Sequence, residues 1–227
     1  MSKIYLEKAP DQTVKDIKTK EISLRNNLAW KYDAQISEYQ HRVEITSAIK
    51  KLDPKEGEYV LDSGCGTGRI TYELVEAGCK VVAVDFSKES LKVCEKRCDD
   101  QKSNLYLIIA DVCNLPLKDG YFDKCISTEV FEQIPTEKER LKMLYEIHRV
   151  LKLNGKLVLT TYNYSLRNII SGKRETHSDG LYFYRYDYFK LKKIISLVFR
   201  GKIKIAGILN LRHWIPPAIL ILSLIHI

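Results

Sequence analysis

Three glycines at alternate positions, Gly64, Gly66 and Gly68, follow a short apolar segment that ends in Asp62. A helical pattern begins immediately after them. Glycine permits positive φ angles and has no Cβ to block a ligand, so this loop is suited to lying flat against a bound small molecule. We therefore expect a strand, a ligand-binding turn that includes Cys65, and a helix in succession.

The spacing of the glycines distinguishes two classes of ligand. The dinucleotide fingerprint G-x-G-x-x-G needs a glycine three residues after Gly66, and Arg69 occupies that position. The form D-x-G-x-G-x-G instead resembles the first motif of the class I S-adenosylmethionine (SAM)-dependent methyltransferases. This resemblance implies SAM as the cofactor, and it implies that Asp62 and the glycine loop hold its methionine part. A nicotinamide-dependent reductase becomes the least favoured interpretation.

Two further acidic residues stand at the ends of predicted strands. Asp85 ends an apolar segment 21 residues after Gly64, where a carboxylate can accept hydrogen bonds from ribose hydroxyls. The resemblance implies this role for Asp85 and implies that Phe86 lies on the adenine face. It also implies that the Asp111 side chain contacts the adenine amino group and that the Val112 backbone N–H contacts a ring nitrogen.

A fourth segment, with Glu129, Glu132 and Gln133, follows the predicted strand 122–128. The resemblance implies that Glu129 contacts the cofactor and faces the substrate. Ubiquinone-biosynthesis O-methyltransferases and small-RNA 2′-O-methyltransferases hold a divalent metal with Glu-x-x-Glu-His in this place. Here Gln133 replaces the histidine, and amide oxygen is a poor substitute ligand. We therefore expect no metal and keep Glu129, Glu132 and Gln133 as the alternative metal set.

Strands alternate with helices through the middle of the chain. This order predicts an α/β fold with a Rossmann-like, doubly wound and mostly parallel sheet, covered by helices on both faces. A segment similar to the family's E-x-x-R-V-L-K-P-G-G begins at Glu146, for which we expect a structural role, with a turn at Asn154-Gly155. The predicted strands are 59–62, 80–85, 106–110, 122–128, 156–162 and 202–209, and the predicted helices are 69–77, 87–98, 136–151 and 187–199.

The length of 227 residues suits a single domain. We divide it into an N-terminal helical cap (1–52), a SAM-binding core (53–163), and a substrate lid with an incomplete C-terminal part (164–227). Residues 222–227 match the translation of a transposon adapter used in DNA sequencing libraries. We therefore expect that these six residues are not native and that C-terminal truncation has removed the last strand of the sheet.

The net charge of +8 is concentrated near the C-terminus, because residues 171–227 hold ten basic and three acidic side chains. A solvated basic face is the preferred interpretation, and an acidic substrate, a phospholipid surface and RNA are the alternatives. The polar N-terminus, the absence of CxxC pairs among six cysteines, and an apolar run of only twelve residues (214–225) predict a cytoplasmic protein without a transmembrane span.

The predicted function is SAM-dependent methyl transfer to an oxygen, nitrogen or carbon atom of a small-molecule or lipid-like acceptor, mainly by proximity and orientation. An RNA methyltransferase and an inactive cofactor-binding homologue are the alternatives. The catalytic residue is unknown, with His177 and Tyr184 of the lid as candidates. Tyr32, Tyr39 and Arg42 are expected to cover the methionine end of the cofactor. The oligomeric state and contact with a membrane surface remain open.

Overall fold

The computed structural model describes residues 11–35, 38–162, 174–178, 181–208 and 220–226. Seven of the strands in this part of the chain form one sheet, and two form a separate hairpin. In chain order the strands are β1 Tyr59–Ser63, β2 Lys80–Asp85, β3 Leu105–Ile109, β4 Phe122–Ser127, β5 Leu151–Tyr162, β6 Glu175–Ser178, β7 Leu181–Tyr184, β8 Ile203–Ile208 and β9 Leu220–His226.

The sheet has the strand order β3-β2-β1-β4-β5-β9-β8. The first five strands in this order are parallel, and β9 runs antiparallel to both β5 and β8. The direction in which strands are added reverses between β1 and β4. A crevice opens at such a point, at the carboxyl ends of the strands, and open α/β sheets bind their ligands there. The predicted Rossmann-like fold is confirmed.

Helices cover both faces of the sheet and create two apolar cores. Alternate residues of β2 enter different cores, with Val82 and Val84 in one and Val81 and Ala83 in the other. The α-helices of the described residues are α1 Asp11–Leu28, α2 Glu38–Leu52, α3 Arg69–Glu76, α4 Lys88–Arg97, α5 Glu137–Val150 and α6 Tyr188–Ser196, and the 3-10 helices are Asp33–Gln35, Asp99–Asn104 and Phe131–Gln133. The first core includes α5 and α6, and the second includes α2, α3 and α4.

Side-chain caps fix the starts of three helices. The Ser87 hydroxyl accepts a hydrogen bond from the third residue of α4, and Thr136 and Asp187 do the same at α5 and α6. Each cap satisfies a backbone N–H that has no partner within its helix.

The prediction that the last strand of the sheet is missing is wrong for the described structure. Residues Leu220–His226 form β9, which pairs with β5 from Lys156↔His226 to Tyr162↔Leu220. An apolar segment rich in isoleucine and leucine readily forms a strand, and here it satisfies backbone groups that β5 and β8 would otherwise expose at an edge. The expectation that residues 222–227 are not native stays a prediction about their origin.

Two local predictions also need correction. The predicted turn at Asn154-Gly155 lies inside β5, where the pairing steps from Phe122↔Leu151 to Lys124↔Lys156. The extra residues form a bulge, and the φ of 64° at Asn154 shows that the turn chemistry bends the strand without ending it. The predicted strand 156–162 begins instead at Leu151, and within the expected lid β6 pairs with β7 as an antiparallel hairpin.

Candidate functional site

A cavity lies at the carboxyl ends of β1, β2 and β4, with α1 and α2 on its other side. Arg25, Leu28 and Ala29 contribute the α1 side. Seven of the ten residues predicted to bind the cofactor line this cavity, and the other three do not. The seven are Gly64, Cys65, Gly66, Asp85, Phe86, Val112 and Glu129, and the three are Asp62, Gly68 and Asp111.

The three loop glycines all have positive φ angles, 81° at Gly64, 53° at Gly66 and 80° at Gly68. A Cβ on Gly66 would meet no atom within 4 Å, so the space beside it belongs to the cavity. A Cβ on Gly64 would lie 2.3 Å from a methyl carbon of Val130, and one on Gly68 would lie 2.4 Å from the Cys94 Sγ. Gly66 therefore keeps a cradle open for a ligand, whereas the other two permit close packing within the protein.

Asp85 holds this loop from the end of β2. Its Oδ2 accepts a hydrogen bond from the Gly66 N–H at 2.9 Å, and its Oδ1 accepts one from the Ser87 N–H at 2.8 Å. Burial raises the pKa of the Asp85 carboxyl, although these N–H donors and the Arg25 charge oppose the shift. A carboxylate oxygen can accept a second hydrogen bond. Asp85 can therefore hold the loop and bind a ligand at the same time.

Asp62 is buried beneath the loop. The Thr71 hydroxyl on α3 donates a hydrogen bond to its Oδ2 at 2.6 Å, and its Oδ1 is buried without a hydrogen-bond partner among the described residues. Burial raises the pKa of Asp62 to about 7. Asp62 thus connects β1 to α3 across the loop, and it fits loop positioning better than direct ligand contact.

Asp111 turns towards α1. Its Oδ2 pairs with the Lys18 Nζ at 2.6 Å, and the same ammonium contacts Glu139 at 2.7 Å. Its Oδ1 accepts a hydrogen bond from the Cys113 N–H at 2.9 Å. Burial acts to raise the pKa of Asp111, but the Lys18 ammonium and the Cys113 N–H outweigh it, so the pKa lies below its usual value. Of the three residues predicted to contact adenine, Phe86 and Val112 line the cavity and Asp111 does not.

Glu129, just after β4, lines the cavity with a φ of 58°. This left-handed conformation is uncommon for a residue other than glycine, and such strain is concentrated at binding and catalytic sites. The Thr160 Oγ1 on β5 accepts a hydrogen bond from the Glu129 N–H at 3.1 Å and holds the conformation. Thr160 also lines the cavity.

The alternative metal set does not converge on one point. Glu132 is 0% exposed, does not line the cavity, and has no hydrogen-bond partner of good geometry for either carboxyl oxygen among the described residues. Burial, and next the charge of Glu129, raise the pKa of Glu132 well above its usual value. The Gln133 carbonyl oxygen accepts a hydrogen bond from Arg25 at 2.7 Å. Of the three, Glu129 and Gln133 line the cavity and Glu132 does not.

Two arginines and a tyrosine complete the cavity wall beside the glycine loop. The guanidinium carbons of Arg25 and Arg69 each lie 5.6 Å from the centroid of the Tyr32 ring. Burial raises the pKa of Tyr32. Tyr32 therefore lies where it was expected to cover a ligand, whereas Arg42 is exposed and the Tyr39 side chain lies outside the described residues. Arg25 was missed because it belongs to no motif.

Polar contacts fasten the N-terminal cap to the loops around the cavity. Asp33 accepts a hydrogen bond from the Thr67 hydroxyl at 2.8 Å and forms an ion pair with Arg97 of α4. The Ser87 hydroxyl donates to the Asn26 side-chain oxygen at 2.8 Å. Together with the Lys18 and Arg25 contacts, these bonds connect the cap to every loop that lines the cavity.

The lid candidates are placed differently. Tyr184 is 4% exposed, belongs to an apolar core and does not line the cavity. The Arg140 guanidinium lies 4.4 Å from its ring centroid, and its hydroxyl contacts the Lys190 ammonium. Tyr184 therefore packs the hairpin onto the core. His177 is in β6, and its side chain lies outside the described residues.

Comparison with known proteins shows which proteins this chain resembles. Residues 61–159 match the methyltransferase domain family. A demethylmenaquinone methyltransferase of Paenarthrobacter aurescens is 32% identical over 167 residues, which cover 72% of this chain and 60% of that protein. A tRNA (carboxymethyluridine(34)-5-O)-methyltransferase of Arabidopsis thaliana is 30% identical over 106 residues, 47% of this chain and 24% of that protein. The chain thus spans less than two thirds of these relatives.

Among solved structures, the fold is similar to that of a 1,6-didemethyltoxoflavin-N1-methyltransferase from Burkholderia thailandensis, determined with 1,6-didemethyltoxoflavin and S-adenosylhomocysteine bound. The TM-score is 0.76 at 14% identity, and the match covers 98% of this chain and 92% of that one. At this identity the likeness concerns the fold. Within the described residues, no helix is both long enough and apolar enough to cross a membrane.

Proposed function

Because this chain carries a class I SAM-dependent methyltransferase domain, we propose that it transfers the methyl group of SAM to an oxygen, nitrogen or carbon atom of a small-molecule or lipid-like acceptor. The main support is the open cradle at Gly66, which Asp85 holds by a backbone hydrogen bond at 2.9 Å. A positive-φ glycine with empty space where its Cβ would lie, next to a buried acid with unused acceptor capacity, suits a nucleoside linked to an amino acid.

The residues around the cavity suggest which part of SAM each would hold. Gly64, Cys65 and Gly66 would lie along the methionine part, and Asp85 would accept hydrogen bonds from the ribose. Phe86 and the Val112 backbone would contact the adenine. Asp62, Gly68 and Asp111 would act through the loops they hold, since none of the three lines the cavity.

When bound, SAM supplies a methyl group on a sulfonium centre that is already activated for displacement. The protein therefore has to orient the acceptor and exclude water. Arg25 and Tyr32 cover the cavity from the cap side. An acceptor hydroxyl or ammonium must also lose a proton. Glu129 is the residue to which we assign proton acceptance, because it is a carboxylic residue in the cavity lining and its backbone is held by Thr160.

A quinone-like acceptor is the class we favour. The relative from Paenarthrobacter aurescens is named for demethylmenaquinone. In the present chain the cap side of the cavity contributes apolar residues to the lining beside its polar ones, namely Leu28, Ala29 and Ile45. Apolar walls with a few placed polar groups suit a flat, hydrophobic acceptor better than a polyanion.

RNA is the second candidate acceptor. Its support is the Arabidopsis thaliana relative named for a tRNA and the excess of seven positive charges in residues 171–227. Transfer of a labelled methyl group to a panel of quinols and, in parallel, to unmodified tRNA distinguishes the two. Labelled tRNA with unlabelled quinols would replace our proposal by this alternative.

Binding of S-adenosylhomocysteine, measured by titration calorimetry, tests the site itself. We expect Asp85→Ala to weaken binding roughly 100-fold, because two hydrogen bonds from the ligand to a charged acceptor are lost. The matched control is Asp123→Ala. Asp123 lies near the amino end of β4 and, like Asp85, binds a backbone N–H, that of Tyr59 at 2.9 Å.

The control should bind S-adenosylhomocysteine like the wild type. A folded wild-type protein that does not bind the ligand would reject the proposed cofactor. Equal losses in Asp85→Ala and Asp123→Ala would show that the effect comes from general loss of structure.

A further inference from the structure

Helix α6 and the residues after it present an apolar and basic face to solvent, outside the cavity. Phe189 is 80% exposed, Leu197 57% and Tyr188 44%. On the opposite side of the same helix, Leu191 and Ile194 are buried in the core. The helix is therefore already anchored by its inner side, and the apolar residues on its outer side are exposed among the described residues. We call these three residues with their neighbouring cations the α6 face.

The charge of the α6 face has a single sign. Every charged residue from 188 to 204 is basic, and five of these residues are exposed. The nearest acid, Asp187, caps the helix and pairs with Arg174 at 2.7 Å. The exposed cations are Lys192, Lys193, Arg200, Lys202 and Lys204.

We propose that the α6 face docks this protein onto an anionic phospholipid membrane surface. Phe189 and Leu197 would enter the boundary between headgroups and acyl chains, and the lysines would pair with anionic headgroups. This combination of exposed apolar side chains and a uniform positive charge is what an interfacial helix needs. Docking is independent of the proposed methyl transfer and is tested without it.

Other partners fit the same face less well. A second copy of the chain would bring two sets of cations together, and like charges across an interface oppose association. A nucleic acid could use the cations and stack a base on Phe189, but it offers nothing for the exposed aliphatic side chain of Leu197. Charge and apolar character together favour the membrane.

The α6 face is connected to the cavity through β7 and the 3-10 helix Phe131–Gln133. Strand β7, which leads into α6, packs on the 3-10 helix Phe131–Gln133. The Phe131 and Tyr186 rings stack with centroids 5.3 Å apart, and Gln133 lines the cavity. Docking through α6 would therefore bring this cavity wall close to the membrane, where a lipid-like acceptor is found.

Vesicle flotation tests the proposal with the full chain and two kinds of vesicle, pure phosphatidylcholine and a 7:3 mixture with phosphatidylserine. We expect the wild type to float with the mixed vesicles only. Lys192→Gln with Lys193→Gln should weaken binding roughly 25-fold, about fivefold for each cation removed. Phe189→Ser with Leu197→Ser should weaken it at least about tenfold, because both apolar anchors are lost.

Matched controls separate the face from general surface effects. Tyr145→Ser with Leu153→Ser changes two residues that are 55% and 87% exposed elsewhere on the surface. Lys88→Gln with Lys96→Gln removes two exposed cations from α4. Both control variants should float like the wild type, and thermal melting should show that all four variants are folded.

Several results would overturn the proposal. The wild type could fail to float with mixed vesicles, or the α6 variants and the controls could bind equally. Loss in the lysine variant without loss in the apolar variant would contradict insertion. Retention of tRNA with a steep salt dependence in the absence of vesicle binding would assign the face to nucleic acid, and a dimer that Phe189→Ser dissociates would assign it to a second copy.

Discussion

The Gly66→Ala substitution distinguishes the contribution of Gly66 to ligand binding from its contribution to the stability of the fold. The φ of 53° at Gly66 costs an alanine about 1 kcal/mol, because the left-handed conformation brings its Cβ too close to the carbonyl oxygen. No further cost is expected within the protein, since a Cβ there meets no atom within 4 Å. For a chain of this size the melting temperature should fall by about 2–4 °C.

Gly57→Ala is the matched control. Gly57 lies in the turn before β1 with a φ of 80°, and a Cβ there also meets no atom within 4 Å. It is not part of the cavity lining. Both variants should therefore lose similar stability, while only Gly66→Ala places a methyl group where the ligand would lie.

Scanning calorimetry with and without S-adenosylhomocysteine measures both effects in one assay. A ligand that binds only the folded protein raises the melting temperature in proportion to the logarithm of its concentration over Kd. We expect the ligand to raise the melting temperature of Gly57→Ala as it does that of the wild type, and to have little effect on Gly66→Ala. Equal rises in the two variants would refute the assignment of Gly66 as the cradle.

The remaining predictions concern the surroundings of the cavity. Arg149 donates hydrogen bonds to the backbone oxygens of Leu115 and Leu117 at 3.0 and 2.7 Å. Arg149→Lys should therefore destabilise the fold by about 2 kcal/mol in urea unfolding without changing ligand affinity. A loss of ligand affinity without a loss of stability would contradict this. Asp33→Asn should speed dissociation of S-adenosylhomocysteine roughly tenfold in stopped-flow measurements, because the cap loses its ion pair with α4. An unchanged dissociation rate would show that the cap does not retain the ligand. Because burial raises the pKa of Glu132, the folded state keeps a proton that the unfolded state releases, and stability is lost as the pH rises above the ordinary carboxyl range. Glu132→Gln removes this loss, so its melting temperature should fall less than that of the wild type between pH 5 and 8, and parallel curves would be inconsistent with a buried neutral carboxyl.

The sequence predicted the parts of the site that follow one another closely along the chain. Gly66 lies in the loop after one predicted strand and Asp85 ends the next, and parallel strands bring their carboxyl ends to one edge of the sheet. The family resemblance then supplied the kind of ligand. Both depend on local patterns, and the fold places these residues together as expected.

Contacts between distant segments could not be predicted in this way. Asp111 has the expected position after β3, but its carboxylate pairs with Lys18, which is 93 residues away. Nothing in the spacing of either residue indicates that partner. Similarly, Asn154-Gly155 has the composition of a turn, and only its pairing with β4 makes it a bulge inside a strand.

The contacts of α1 determine when this helix can pack against the rest of the protein during synthesis. Lys18 leaves the ribosome before its partner Glu139, which lies 121 residues later. At ordinary rates of synthesis this contact can therefore form only roughly 6–24 s after Lys18 has been synthesised. During this time α1 must stay soluble without a partner, which suits its sequence of alternating lysines, acids and amides with few aliphatic residues. Helix α1 therefore completes its contacts with the cavity loops only after strands β1 to β4, which carry those loops, have been synthesised.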